Sequence, residues 1–211
     1  MGRETDKIKI ASEIKQAAKI YKQKLLGKRF MYVFDNRYIE VIYKAENFRH
    51  LTGVDTNLSA KRFYDYAVRG TLSASQIGFS AQHPHSLCIR KLKHIGSIAT
   101  LAYSECFMLE EIKTNTMSYK FGTTDLNFTL CLNKDSSQGN SEKNECFIVH
   151  SLRDEDCFSK SKNVYTVTHI FSRQNDKKLY TDIIYADKVS SIAGLPDCIK
   201  KMLDKELLNG I

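Results

Sequence analysis

The first part of the chain carries apolar side chains at steps of three and four residues, which is the pattern of an amphipathic helix. The recurring apolar positions are Ile10, Ile14, Ala17, Ala18, Tyr21 and Leu25. Gly27 follows them, and glycine is the residue type that most often ends a helix. The pattern therefore predicts a helix over residues 1–27.

Two aromatic and β-branched runs come next, at residues 30–34 and 38–43. The residues between them are Asp35, Asn36 and Arg37, which tolerate the left-handed backbone of a tight turn. This arrangement predicts a short β-hairpin.

Two further helices are predicted downstream of the hairpin. Ser59 is an N-cap residue for the first of them, which ends at Gly70, and Ser86 opens the second. From residue 128 onward apolar and polar side chains alternate, as they do in strands. A charged segment at residues 172–178 separates the last two strand-like runs, and its composition predicts a long hairpin with a charged tip.

The order of these elements predicts an α+β fold. We expect N-terminal helices and a short hairpin, followed by an antiparallel sheet of about four strands and a C-terminal helix. One domain is expected over residues 1–211, with the basic helix at 1–27, an α+β core at 28–188 and the C-terminal helix at 189–211. Residues 133–145 contain no apolar side chain and predict a flexible surface loop.

Basic residues outnumber acidic ones, 32 against 24, and the net charge is +8. The predicted N-terminal helix holds much of this excess. A protein this basic often binds a polyanion such as nucleic acid. The alternative is an ordinary solvated surface rich in lysine, and the charge alone leaves both open. The side chains predicted to bind nucleic acid are Lys15, Lys19, Lys22, Arg90, Lys91 and Lys93.

The 6 cysteines include no pair at C-x-x-C spacing, which argues against a zinc ribbon and against a thioredoxin-like site. The N-terminus has no hydrophobic signal segment. No apolar stretch reaches the roughly 20 residues that span a bilayer. These features predict a reduced cytoplasmic protein with no membrane partner.

The sequence contains no P-loop, no dinucleotide-binding glycine motif and no metalloprotease motif. His83 and His85 place two imidazoles near each other without a third ligand in reach, so we expect neither a metal nor a cofactor. The remaining side chains with chemical function, which are His, Arg, Lys, Tyr, Ser and Thr, suit a metal-independent ribonuclease. Such an enzyme needs a base for the ribose 2′-OH, an acid for the leaving 5′ oxygen and cations for the phosphate charge.

Residues 47–53 read Asn-Phe-Arg-His-Leu-Thr-Gly, and Ser59 and the pair 63–64, Phe-Tyr, follow them. Here the chain resembles a family of phage and mobile-element proteins, the phage barnase–EndoU–colicin–RelE-like nucleases of subgroup four. Segments 147–156 and 164–185 are similar to two later stretches of that family. The resemblance implies N-terminal helices, a four-stranded antiparallel sheet and a metal-independent ribonuclease in the cytoplasm of a bacterial host cell.

The resemblance also implies four catalytic residues: His50, Ser151, Arg173 and Lys120. Each has a structural alternative. His50 can stabilise a turn, Ser151 can cap one, and Arg173 can lie solvated at a strand end. His169, in an alternating strand, is typical of a core or edge histidine.

The first functional hypothesis is an endoribonuclease that cleaves RNA through attack of the 2′-OH, with tRNA among the candidate substrates. His50 is then the general base or acid, while Arg173 and Lys120 hold the phosphate. Ser151 donates a hydrogen bond to a non-bridging oxygen. The second hypothesis is a catalytically silent phage protein whose basic face binds nucleic acid or a host defence complex. A third is a toxin that a partner antitoxin silences.

Overall fold

The computed structural model describes residues 2–115, 117–135 and 146–209. The helices in these ranges are α1 (Gly2–Lys24), α2 (Ala45–Thr52), α3 (Ala60–Arg69), α4 (His85–Ile95), α5 (Ile98–Leu101), α6 (Asp197–Lys200) and α7 (Lys205–Asn209). The strands are β1 (Lys28–Phe34), β2 (Arg37–Ile42), β3 (Phe107–Lys113), β4 (Ser118–Thr124), β5 (Thr129–Lys134), β6 (Cys146–Arg153), β7 (Asn163–Thr166), β8 (His169–Gln174) and β9 (Asp182–Ala186). Residues 136–145 of the predicted flexible loop (133–145) lie outside the described residues.

The helix α1 turns its apolar stripe inward. Ile14, Ala18 and Leu25 are fully buried there, as the spacing of three and four residues implies. The stripe packs with α3, α4 and the main core of the protein. Within the described ranges no helix has both the length and the apolar character needed to cross a membrane.

The predicted hairpin is present as β1 and β2. Phe34 pairs with Arg37, so the turn contains only two residues. Asp35 and Asn36 have φ values of 49° and 56°, and these are the left-handed conformations that a two-residue hairpin turn requires. Local turn chemistry therefore determines this element.

The sheet differs from the prediction. The expectation of an antiparallel sheet of about four strands is wrong, because the structure forms a curled, nine-stranded mixed sheet in the order β7-β3-β4-β5-β6-β2-β1-β8-β9. The broad α+β class holds. All neighbouring pairs are antiparallel except β2 and β6, which are parallel.

The strands that the sequence does not predict lack a clean alternation of apolar and polar residues. The strand β3 contains the adjacent carboxylates Glu110 and Glu111, and β4 buries Thr123 and Thr124 beside its apolar residues. A period of two is therefore masked in both strands, although they pair with each other on both sides of Glu111.

The curl of the sheet follows from the step between β7 and β8. Only Val167 and Thr168 separate these strands, yet β7 pairs with β3 and β8 pairs with β1. The amide of Val167 donates to the carbonyl of Cys106 at 3.1 Å, and the amide of Thr168 donates to the carbonyl of Val33 at 2.9 Å. The chain thus links two distant parts of the sheet order and holds the sheet curled.

The C-terminal segment also differs from the expected single helix. It forms α6 and α7, and between them Leu203 pairs with Tyr180 in an isolated bridge. Ile199 and Leu203 are buried against Met31 on the side of the sheet that α1 does not cover. Pairing with Tyr180 therefore interrupts the helix that the apolar spacing predicts.

Glu40 lies at the centre of a buried polar cluster. Arg29 Nη1 donates to Glu40 Oε2 at 2.9 Å, and Tyr180 Oη donates to Glu40 Oε1 at 2.5 Å. Arg173 Nη2 lies 3.5 Å from Glu40 Oε1. One carboxylate therefore joins β2, β1, β8 and the segment that precedes β9.

We expect Glu40→Gln to lower the free energy of unfolding by about 3–5 kcal/mol, because it leaves Arg29 and Arg173 mostly buried without their carboxylate. Urea denaturation measures the change. The control is Glu105→Gln, since Glu105 is exposed and its substitution should change stability little. Equal effects of the two variants would contradict the role given to Glu40.

Candidate active site

The position of His50 follows from the pairing of β2. Two residues after β2 the chain enters α2, which carries His50 in its last turn. Because β2 runs parallel to β6, with Ile42 opposite Ile148, α2 packs over β6. The imidazole of His50 then stacks against that of His150, with ring centres 6.2 Å apart and planes inclined by 7°.

His150 lies at a β-bulge in β6. The register between β5 and β6 passes from Leu132–Val149 to Cys131–Ser151 and leaves His150 unpaired. A bulge of this kind redirects the side chain of the extra residue and is frequent beside active sites. The His150 ring lies 5.9 Å from that of Tyr119, and its buried Nδ1 has no hydrogen-bond partner in the described part of the chain.

The packing around Gly53 explains why the Asn-Phe-Arg-His-Leu-Thr-Gly string ends in glycine. Gly53 ends α2 with φ +72°, and a Cβ there would lie 3.0 Å from Lys91 Cδ and 3.2 Å from Cys88 Cα. The missing side chain lets α4 approach the end of α2. Lys91 Nζ, which is buried, then donates to the carbonyl oxygen of His50 at 2.6 Å.

The electrostatic setting favours neutral imidazoles. Partial burial, followed by the charge of Arg49, lowers the pKa of His50. Partial burial and the charge of Lys91 also lower the pKa of His150. Burial and the neighbouring Arg153 lower the pKa of Lys91 to about 8. At neutral pH both imidazoles are therefore mainly in the form that accepts a proton.

A cleft of about 590 Å³ lies beside the two imidazoles. Tyr119, which lines it, contacts the His150 ring, and Lys91, which also lines it, donates to the backbone carbonyl of His50. The acidic residues of the cleft are paired. Asp154 Oδ1 accepts a hydrogen bond from His94 Nε2 at 2.5 Å, and the carboxylate of Glu155 forms an ion pair with Lys160. The lining is Gln82, Leu87, Arg90, Lys91, Tyr119, Ser151, Leu152, Arg153, Asp154, Glu155 and Lys160. The lining thus has an excess of positive charge, which suits a phosphate.

The structure places the four residues predicted as catalytic in three different settings. His50 belongs to the imidazole pair, and Ser151 lines the cleft beside that pair. Arg173 lies in the Glu40 cluster on β8, three strands from β6 in the sheet order. Lys120 Nζ lies 3.4 Å from Glu111 Oε1 on the neighbouring strand. Their catalytic roles remain predictions.

The residues predicted to bind nucleic acid are also divided. Lys19 and Lys22 are exposed on α1, and Lys15 on the same helix is partly covered. On α4, Arg90 is exposed and lines the cleft, and Lys93 Nζ lies 3.6 Å from Asp154 Oδ2. Lys91, described above, is buried. The basic residues therefore occupy two separate surfaces and one interior position.

Three side chains of the site are absent from the sequence-based prediction: His150, Tyr119 and Arg153. Arg153 lies 5.9 Å from the centre of the Tyr119 ring, and its Nη2 donates to Thr114 Oγ1 at 3.0 Å. His150 directly precedes the predicted Ser151, and that adjacency is the one local signal for it. In the described part of the chain, no group of three or more His, Cys, Asp or Glu side chains is arranged to hold a metal ion.

A family model described as phage-Barnase-EndoU-ColicinE5/D-RelE like nuclease4 matches residues 13–189. The matched segment includes His50, His150 and the residues that line the cleft. The resemblance found in the sequence is thereby confirmed. No curated protein and no solved structure matches the chain.

The approach of α4 to Gly53 can be tested by comparison with Gly70. Gly70 also ends a helix in the left-handed region, at φ +77°, but a Cβ there would meet nothing within 4 Å. Both Gly→Ala changes should cost about 1–2 kcal/mol for the strained backbone. We expect Gly53→Ala to cost at least about 1 kcal/mol more, because its Cβ would crowd α4.

Urea denaturation of the two variants gives this difference directly. Equal destabilisation by Gly53→Ala and Gly70→Ala would show that α4 does not depend on the missing side chain.

Proposed function

The chain belongs to the phage-Barnase-EndoU-ColicinE5/D-RelE like nuclease4 family, and on that premise we propose that it is a metal-independent endoribonuclease of phage or mobile-element origin. His50 and His150 are its acid–base pair. The observation that carries the proposal is the stacking of these two imidazoles at the edge of a cationic cleft.

The chemistry needs two imidazoles that reach one phosphodiester. One takes the proton of the ribose 2′-OH, which attacks the adjacent phosphorus, and the other protonates the leaving 5′ oxygen. The nearby phosphate charge raises the pKa of the imidazole that acts as the acid. Because RNA carries its own nucleophile, the reaction proceeds without a metal ion.

The cleft supplies the groups that stabilise the developing charge on the phosphate. Arg90 and Arg153 line it and can bind non-bridging oxygens, and the Ser151 hydroxyl can donate a hydrogen bond. We assign the phosphate contacts to these residues before Arg173 and Lys120, because the latter two are not among the residues that line the cleft. Lys91 positions His50 through its hydrogen bond to the His50 backbone carbonyl.

A second candidate function is binding without cleavage. The exposed Lys19 and Lys22 on α1 favour it, since they lie apart from the residues that line the cleft and can contact phosphates along an RNA strand. In that case the protein binds nucleic acid or a host protein and leaves RNA intact.

Incubation of the protein with an RNA oligonucleotide in EDTA tests the proposal. We expect cleavage to persist, and the products to end in 2′,3′-cyclic phosphate and 5′-OH. His50→Ala and His150→Ala should each lower the rate by about 10²-fold or more, since each removes one proton-transfer group. The matched control is His85→Ala, because His85 is an exposed histidine that contacts Phe79 outside the cleft.

Two results of this assay would contradict the mechanism. One is cleavage of an oligonucleotide with 2′-O-methyl at the scissile position, because that substrate has no nucleophile. The other is activity that EDTA abolishes and Mg²⁺ restores. Salt-dependent binding of RNA without any cleavage would favour the second candidate function.

The pH dependence follows from the lowered pKa values of both imidazoles. As the pH falls, the catalytic base becomes protonated and kcat/KM declines. Because burial lowers both pKa values, we expect the midpoint of this acidic limb below the ordinary histidine value of about 6.5. Initial rates at low RNA concentration measure the profile, and a midpoint clearly above this value would contradict the assigned base.

A further inference from the structure

Two cysteine side chains lie together in the interior of the protein, in one cluster with a residue of the cleft lining. Cys131 lies on β5 and Cys157 lies four residues after β6, with 0% and 2% of their surfaces exposed. Their side chains are hydrogen-bonded to each other. They share a small apolar cluster with Leu109, Ile112 and Tyr119, the last of which also lines the cleft.

The chain brings the two thiols together by folding back after β6. Thr129 Oγ1 donates to the carbonyl of Glu155 at 2.7 Å, which holds the turn against the start of β5. Cys157 adopts a φ of 58°, a left-handed conformation that is uncommon for a residue with a side chain. Ser161 Oγ donates to the Cys157 carbonyl at 2.8 Å. The backbone position of Cys157 is thus determined by several contacts.

We propose that Cys131 and Cys157 form a reversible intramolecular disulfide, with a hydroperoxide as the oxidant and a small thiol as the reductant. Formation of this bond needs a movement only of the turn that carries Cys157, because the two side chains are already hydrogen-bonded within one buried cluster. The hydrogen bond from Cys131 stabilises the thiolate of Cys157 and lowers its pKa. Cys157 is therefore the thiol that reacts first.

The reaction with hydrogen peroxide balances in two steps. The Cys157 thiolate attacks one oxygen, the O–O bond breaks, and the second oxygen leaves as water with the proton that Cys157 released. The Cys131 thiol then attacks the sulfur of the Cys157 sulfenic acid, forming the S–S bond and releasing a second water. The two thiols lose two electrons in total, and the peroxide gains them.

The bond has a consequence for the cleft that rests on the proposed function. A disulfide brings its sulfurs to about 2.05 Å, closer than hydrogen-bonded thiols. It would draw the turn that carries Glu155 and Lys160 toward β5 and displace the neighbouring Arg153. Since small displacements of a phosphate-binding group lower rates strongly, we expect oxidation to reduce RNA cleavage roughly tenfold or more.

The test uses the full chain with Cys198→Ser, because Cys198 is the exposed thiol that would link separate molecules. After treatment with hydrogen peroxide and blocking of free thiols, peptide mass spectrometry should find residues 131 and 157 joined, with the loss of two hydrogens. Dithiothreitol should restore both thiols. Cys146→Ser, which removes another buried thiol, is the matched control and should leave the cross-link unchanged.

Peroxide-treated, folded protein without the Cys131–Cys157 cross-link would overturn the proposal. This measurement needs no substitution at either cysteine, so a folding defect in Cys131→Ala or Cys157→Ala cannot obscure it. A cross-link that leaves RNA cleavage unchanged would overturn the effect on the cleft. Absence of cleavage by the reduced protein would instead contradict the proposed function, and it would not affect the disulfide proposal, which the cross-link tests separately.

Discussion

The parallel pairing of β2 with β6 is the constraint on which the candidate active site depends. Helix α2 starts after only two intervening residues, so the pairing places it over β6 and brings His50 to His150. The bulge in β6 then turns His150 out of the regular register. Gly53 and the buried Lys91 hold α4 against the end of α2. The proximity of the two imidazoles is thus a consequence of one strand pairing.

Elements governed by local chemistry could be predicted from the sequence. The left-handed residues Asp35 and Asn36 close the first hairpin, and the Ser59 side chain accepts a hydrogen bond from the amide of Arg62 at the start of α3. The sheet could not be predicted in this way. Its nine-stranded order depends on contacts between distant segments, and β3 and β4 lack the alternation that marks a strand.

The same distinction applies to the site. His50 and Ser151 are recognisable through the family resemblance, and the structure puts Ser151 in the lining of the cleft and His50 in the imidazole pair beside it. The contribution of His150 depends on a bulge, which is a property of strand pairing and leaves no local pattern in the sequence. Likewise, the sequence does not distinguish Lys91 from the other basic residues of α4, and only the packing of α4 against Gly53 shows that it is buried. Charge counts alone cannot separate such a residue from a solvated lysine.

The proposed reaction requires that one substrate phosphate contact both imidazoles. The most direct measurement is an NMR titration of the histidine rings with an RNA oligonucleotide that carries 2′-O-methyl groups and so cannot be cleaved. We expect the His50 and His150 resonances both to shift, and the pKa of at least one imidazole to rise in the complex because of the phosphate charge. Binding that leaves both rings unperturbed, or shifts His85 instead, would contradict it.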